Sequence, residues 1–277
     1  MHLAWLTDLH LNFVELDCVD DLCRRVRDEG ADAVLISGDI AEAPGVEAYL
    51  QLLDRQIDRP IHFVLGNHDF YRGGIGEVRA RVAAFCARRP GIHWLSQETM
   101  IELTPETGLI GHDGWADGRL GDHAGSDVLL NDFFLIEELA ELEPETRLER
   151  LHALGDQAAD HFRSTLPEAL RRYRRVIALT HVPPFREACW YQGQISADAW
   201  LPHFACKAVG DALVDVMSAH PDRELIVLCG HTHSAGDAWI LPNLRVFTGA
   251  ADYGRPGIEG WIVLDGDAEF RPRALRH

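Results

Sequence analysis

Five short pieces of the chain carry residue types that bind divalent metals or move protons. They are Asp8-Leu9-His10, Gly38-Asp39, Gly66-Asn67-His68-Asp69, His181 and Gly230-His231-Thr232-His233. Carboxylate, imidazole and amide donors form a mixed N/O set that suits Mn, Fe, Zn, Co or Ni, and affinity order alone does not choose among them. Two such ions in one site activate water and polarise a phosphoryl oxygen, so phosphoester hydrolysis is the natural use.

Each piece has its own reading. Residues i and i+2 of an extended chain point to the same side, so Asp8 and His10 can share one metal. Alone, such a pair is common by chance. Asp39 suits a carboxylate that touches both ions, with Gly38 allowing a backbone turn that a side chain would obstruct; alone it reads equally as a helix cap. Asn67 offers a neutral carbonyl oxygen. His68, near the metals but not on them, is free to give a proton to a leaving group. Asp69 can accept from the other ring nitrogen and fix the tautomer. A lone His181 is more often structural. His231 and His233 alternate, so each can reach a different metal.

The elements that must position these residues are legible as apolar runs. Residues 3–7, 33–37, 61–65, 176–180 and 225–229 read as buried strands, and each motif stands at the C-terminal end of one of them. That edge of a sheet is where α/β proteins place their chemistry. Helical spacing fills 19–27, with Asp17 as N-cap and Gly30 past the end, then 46–57 and 74–87. This βαβαβ rhythm implies parallel strands with helices packed outside. After residue 92 the rhythm breaks. Residues 92–118 read as short strands joined by turns. Residues 127–173 form a long helical stretch striped with Leu139, Leu142, Leu148, Leu151 and Leu154, and its acidic run reads as a solvated face. The last two strands, 244–247 and 260–264, read as antiparallel.

A chain of 277 residues fits one large domain. Its net charge of −18 argues against a broad grip on nucleic acid. A small anionic substrate is compatible, because a bound metal pair dominates the local field. The six cysteines show no C-x-x-C spacing, which leaves free thiols in a reducing compartment. No apolar stretch approaches the roughly 18 residues of a membrane span. The first strand starts almost at Met1, leaving no room for a signal peptide, so a cytoplasmic protein is expected.

Taken together and in order, D-x-H, G-D, G-N-H-[DE], H and G-H-x-H resemble the calcineurin-like metallophosphoesterase superfamily. The resemblance covers residues 1–69 and 176–264 well and the middle poorly. It implies an α/β fold, a two-sheet β-sandwich flanked by helices. Residues 1–277 would form a single domain, with a helical insertion or cap over 120–175. It further implies one metal on Asp8, His10, Asp39 and His233, and another on Asp39, Asn67, His181 and His231. His68 and Asp69 would form an acid dyad. No ligand position is substituted.

A hydroxide held between two ions roughly 3.5–4 Å apart would attack phosphorus in line, with His68 assisting the leaving oxygen. Two divalent ions outweigh two carboxylates and a hydroxide, so the centre retains positive charge for a phosphate anion. For substrate contacts the candidates are Trp115 and Arg119 in a Gly-rich loop, and Trp190 and Tyr191 in an aromatic loop after His181 that also holds Phe185, Trp200 and His203. Asp252-Tyr253 is a further loop that could face the site. A phosphodiesterase for a small or nucleotide-type substrate is the first expectation. A phosphomonoesterase comes close behind, and a lipid-linked pyrophosphatase, a nuclease and a non-catalytic module follow. The partner is a small phosphoester, with Mn, Fe or Zn as the expected ions and a homo-oligomer possible.

Overall fold

The computed structural model describes residues 1–264 and 269–272. In chain order the elements are β1 His2–Leu6, α1 Leu16–Asp28, β2 Ala33–Ser37, α2 Val46–Ile57, β3 Ile61–Val64, α3 Ile75–Cys86, β4 Ile92–Trp94, β5 Ile101–Thr104 and β6 Thr107–Gly111. They continue with α4 Asp132–Leu135, α5 Pro144–Arg172, β7 Arg175–Leu179, β8 Trp190–Tyr191, β9 Gln194–Ile195, α6 Leu201–Phe204, α7 Lys207–Ser218, β10 Glu224–Cys229, β11 Gly236–Leu241, β12 Leu244–Thr248, β13 Gly260–Val263 and β14 Glu269–Pro272.

Two six-stranded sheets form, in the orders β14-β13-β1-β2-β3-β4 and β11-β12-β10-β7-β6-β5. The β1-β2-β3-β4 and β12-β10-β7-β6 runs are parallel. Period-two alternation builds three apolar layers. Leu3 and Trp5 of β1, Leu35 of β2, Ile177 and Leu179 of β7 and Leu228 of β10 pack between the sheets. The alternate residues of the first sheet, such as Ala4, Leu6, Val34 and Ile36, pack under α1, α2 and α3. Those of the second, such as Val176, Ala178 and Val227, pack under α5 and α7. Both faces of each parallel run are covered, so these strands read as unbroken apolar segments rather than alternating ones. The expected helix-flanked two-sheet architecture is the one observed.

Three expectations differ in detail. The strands at 244–247 and 260–264 are not partners. β12 is antiparallel to β11 in the second sheet, and β13 is antiparallel to β1 in the first. Each has an antiparallel partner, but in different sheets, and β11 was not visible as a strand in the sequence. Helix α1 begins at Leu16, so Asp17 lies in its first turn rather than capping it, where a carboxylate still favours the positive helix end. The stretch 120–175, expected as an insertion or cap, divides in two. Its long helix α5 is the crossover between the parallel strands β6 and β7 and belongs to the second core through Ala158, Phe162 and Leu166. Only the loop and short helix α4 ahead of it reach towards the metal-binding motifs.

Candidate metal centre

All five motifs meet where the C-terminal ends of β1, β2, β3, β7 and β10 converge. The loops after β1 and β2 run together: Asp8 N–H donates to Gly38 O at 3.0 Å and His10 N–H to Asp39 O at 2.9 Å. The loop after β10 is tied across to the first sheet, since His231 N–H donates to Asp8 Oδ1 at 3.0 Å. Thr7 Oγ1 donates to Asp8 Oδ2 at 2.7 Å, and His68 N–H to Asp39 Oδ1 at 2.9 Å. Both carboxylates are thereby aimed by backbone and hydroxyl donors.

The close approach of these loops explains the motif glycines. A Cβ on Gly66 would stand 2.1 Å from Asp39 Oδ1, and one on Gly230 2.1 Å from Asp8 Oδ2. Gly38 needs its freedom as well, with φ +95 and the His181 ring in the place of a side chain.

Most of the candidate ligand residues are not extended, contrary to the D-x-H reading. Asp8, His10, Asp39, His231 and His233 all have positive φ, between 43° and 72°. A non-glycine residue in that region costs about 1–2 kcal/mol, and it persists only where the surroundings over-determine it. Asp8 and His10 still converge, but through two left-handed residues beyond the end of β1. Left-handed backbone was not legible in these residue types.

Asp8, His10, Asp39 and His233 bring one donor atom each to within 4.8 Å of one another. A second cluster forms on the other side of Asp39. Asn67 Oδ1 lies 3.1 Å from His181 Nε2 and 3.0 Å from His231 Nδ1. Asp39 Oδ2 faces both: it is 3.8 Å from His10 Nε2 and 3.3 Å from His181 Nε2. The seven sequence-predicted ligand residues are thus brought together in two groups that share one carboxylate.

The donor set fits cations on physical grounds. His10 Nε2 and His233 Nε2 face each other at 3.1 Å, and two lone pairs so aimed repel unless a proton or metal lies between. The distal nitrogens of the other two rings are spoken for. His181 Nδ1 donates to Ser37 O at 2.8 Å and His231 Nε2 to His203 O at 2.9 Å. This fixes the tautomers that leave His181 Nε2 and His231 Nδ1 free as ligands. Charge tells the same story. Burial disfavours the Asp39 and Asp8 carboxylates, yet neighbouring imidazoles hold both low, Asp39 chiefly through His181 and Asp8 chiefly through His233. Burial alone would lower His181, but the Asp39 charge lifts it to about 10. Burial lowers His10 and His231 to about 4, which leaves them neutral at pH 7. A buried anionic centre that captures protons this strongly is one that a divalent cation would occupy.

His68 lies beside the centre. Its Nε2 is 4.0 Å from Asp39 Oδ2, its ring stacks on Tyr71 at 4.2 Å and meets His10 edge-on at 4.6 Å. The expected dyad with Asp69 is not formed. Asp69 is fully buried and accepts from Ala41 N–H and Gly66 N–H, both at 2.8 Å. His68 Nδ1 has no hydrogen-bond partner among the described residues. The short helical turn at His68–Phe70 rotates adjacent side chains apart, so Asp69 braces the loop that carries the centre and the Tyr71 ring supports His68 instead.

Three of the four substrate candidates are placed elsewhere. Trp115 is only 3% exposed and packs against Phe70 in the first core. Arg119 is held between Asp117 and Asp156 at 3.0 and 2.9 Å, pinning its loop to α5. Trp190 lies over Gly236, where a Cβ would collide with its ring. These residues fill the loops because a large ring or a paired guanidinium stabilises them more by packing than by exposure. Tyr191 is exposed in a recess with Trp200 and Phe204. Tyr253 does face the centre, 4.5 Å from the His10 ring and 5.2 Å from His233.

One residue was missed. Asp132, from α4, is buried and accepts from Asn67 Nδ2 at 2.8 Å and Tyr71 OH at 2.7 Å through the same Oδ1. It holds the amide so that Oδ1, not Nδ2, faces His181 and His231. No sequence signal could place it, since it stands 65 residues from Asn67. Asp132→Ala is expected to weaken binding of one of two ions by about 10–100-fold while sparing the other, the usual cost of losing such an outer partner. Metal titration followed by stoichiometry checks this, and equal loss of both ions would contradict it.

The comparisons agree with this geometry. A profile of the calcineurin-like phosphoesterase family matches residues 1–235, and the chain belongs to that family. It is therefore a metallophosphoesterase-superfamily hydrolase with an Asp/His cluster able to bind metal. No curated protein matches the sequence. Among solved structures it is similar to a phosphopantetheinyl hydrolase from Mycobacterium tuberculosis, with TM-score 0.64, 16% identity and coverage of 91% of this chain and 90% of that one. It is also similar to a dimetal phosphatase from Danio rerio, with TM-score 0.62, 15% identity and coverage of 99% and 96%. At these identities the likeness is one of fold. No helix among the described residues is long and apolar enough to cross a membrane.

Proposed function

We propose that the chain is a dinuclear metal-dependent phosphodiesterase for small or nucleotide-type diesters, with phosphomonoester hydrolysis as its lesser activity. The observation that carries the two-ion reading is Asp39 Oδ2, which faces histidines of both ligand groups. Asp8, His10, Asp39 and His233 would hold one ion, and Asp39, Asn67, His181 and His231 the other. When bound, the ions supply a water-derived nucleophile at neutral pH and polarise the phosphoryl group. The protein's own residues do the rest. Thr7, Ser37 O, His203 O and Asp132 orient the ligands. His68, at the rim, gives a proton to the departing oxygen. Both sheets supply ligands to the one centre, which supports treating the chain as one working domain.

Charge around the centre favours a diester, which carries one negative charge, over a monoester, which carries up to two. A cleft of about 550 Å³ opens beside His68 and Tyr253. Its lining has one cation, Arg72, and that is paired with Glu42 at 2.8 Å. A smaller recess beside Asp8 and His233 holds Arg255 together with Asp252 and Glu259. Neither offers surplus positive charge for a dianion.

The test is a paired assay on protein of known metal content, comparing bis-p-nitrophenyl phosphate with p-nitrophenyl phosphate, with and without added Mn. About two ions per chain and diester preference are expected. Monoester preference would keep the centre and overturn the diester reading. Protein that takes up no metal would overturn both.

A further inference from the structure

Besides the small recess at Asp8 and His233, two aromatic recesses lie beside the metal-binding residues, and they adjoin different ligand groups. The larger is lined by Phe13, Glu42, His68, Tyr71, Arg72 and Tyr253, among others. Phe13 and Tyr253 are 54% and 53% exposed, with rings 5.6 Å apart at 88°. Tyr253 also meets the rings of His10 and His233. The smaller, about 230 Å³, is lined by Tyr191, Ile195, Ser196, Trp200 and Phe204. Phe204 meets the His231 ring edge-on at 5.5 Å, and the half-exposed Trp200 stacks on Phe204 at 5.3 Å. Exposed rings of this size, grouped beside a reactive centre, are surfaces awaiting an apolar or planar partner.

We propose that these recesses receive the two arms of one diester. The leaving alcohol lies in the Phe13–Tyr253 cleft and the retained group against Trp200 and Phe204. The assignment rests on the diesterase reading and on His68, which lines the larger cleft and so marks the side on which the leaving oxygen departs. The P–O bond to the arm in that cleft breaks and its oxygen takes the proton from His68. A hydroxyl from water joins phosphorus, the water's other proton passes to solvent, from which His68 is reprotonated, and the retained arm departs as a phosphate monoester. The larger cleft has aromatic faces with Glu42, Asn131 and Arg72 at its edge, which suits a planar, polar-edged alcohol such as a nucleoside. The smaller recess has less than half the volume and sets the Tyr191, Trp200 and Phe204 rings beside Gln194 and Ser196, which suits a compact aryl or alkyl group.

Two substrate pairs separate the arms. The first keeps p-nitrophenol as leaving group and varies the retained group, methyl against phenyl. The second keeps a methyl retained group and varies the leaving group, an aryl alcohol against a fluoroalkyl alcohol of matched acidity. Phe13→Ala is expected to lower kcat/KM about tenfold for the aryl leaving group relative to the fluoroalkyl one, the size of one lost stacking contact. It should leave the phenyl-to-methyl ratio of the first pair within twofold. Trp200→Ala should do the reverse, and the metal content of both variants should match the parent. Crossed effects, or equal losses on all four substrates, would overturn the arm assignment while leaving the diesterase reading standing. A parent protein that binds two ions and cleaves only monoesters would overturn both.

Discussion

Replacing Asp39 by Asn is expected to lower bound metal from about two ions per chain to less than one, and to cut diester hydrolysis roughly 10³-fold or more. The substitution keeps the side-chain volume and the oxygen that accepts from His68 N–H. It removes the charge that faces His10 on one side and His181 on the other. A bridging carboxylate is shared by both ions, so its loss weakens both at once, whereas loss of any single imidazole weakens one. Polarisation of the phosphoryl oxygen by metal supplies several kcal/mol, and each 1.36 kcal/mol is a factor of ten in rate. Metal analysis beside the diester assay checks this. Retention of two ions with near-parental turnover would show that Asp39 does not bridge.

His68→Ala is expected to leave both ions in place and to slow turnover in proportion to the difficulty of the leaving group. A positioned general acid contributes typically 10²–10⁴-fold. Loss near the upper end is expected for alkyl alcohols, which depart as poor anions, and much less for p-nitrophenolate, which needs no proton. An equal loss for both classes would remove the acid role. Asp69→Asn provides the contrast. Because Asp69 accepts from the backbone of Ala41 and Gly66 and not from His68, its change should lower thermal stability without altering the leaving-group dependence.

The separation of His68 from Asp69 shows where sequence reading reaches its edge. Adjacent polar residues suggest a pair by their chemistry, but a helical turn at His68–Phe70 points them into different surroundings. The same happened with Trp115, Arg119 and Trp190. Their types are compatible with substrate recognition, and in each case packing or ion pairing inside the fold claimed them first. Tyr253 stands in a loop that the sequence marks as able to face the site, whereas Phe13, which lines the cleft beside it, carries no spacing that singles it out.

By itself the sequence determined which candidate ligand residues would meet and where in the fold they stand. Strands buried on both faces must be continuously apolar, so 3–7, 33–37, 61–65, 176–180 and 225–229 announced themselves, and a polar motif at the end of each can only stand at the sheet edge. The tertiary structure alone decided what depends on contacts between distant segments. It set the left-handed backbone that turns Asp8, His10 and Asp39 onto a common point. It fixed the tautomers through Ser37 O and His203 O, and the Asn67 amide through Asp132. It also made α5 a crossover helix rather than a cap. Local pattern encodes burial and strand ends because these follow from periodicity and composition. Orientation across 65 residues of chain follows from packing, which no local pattern records.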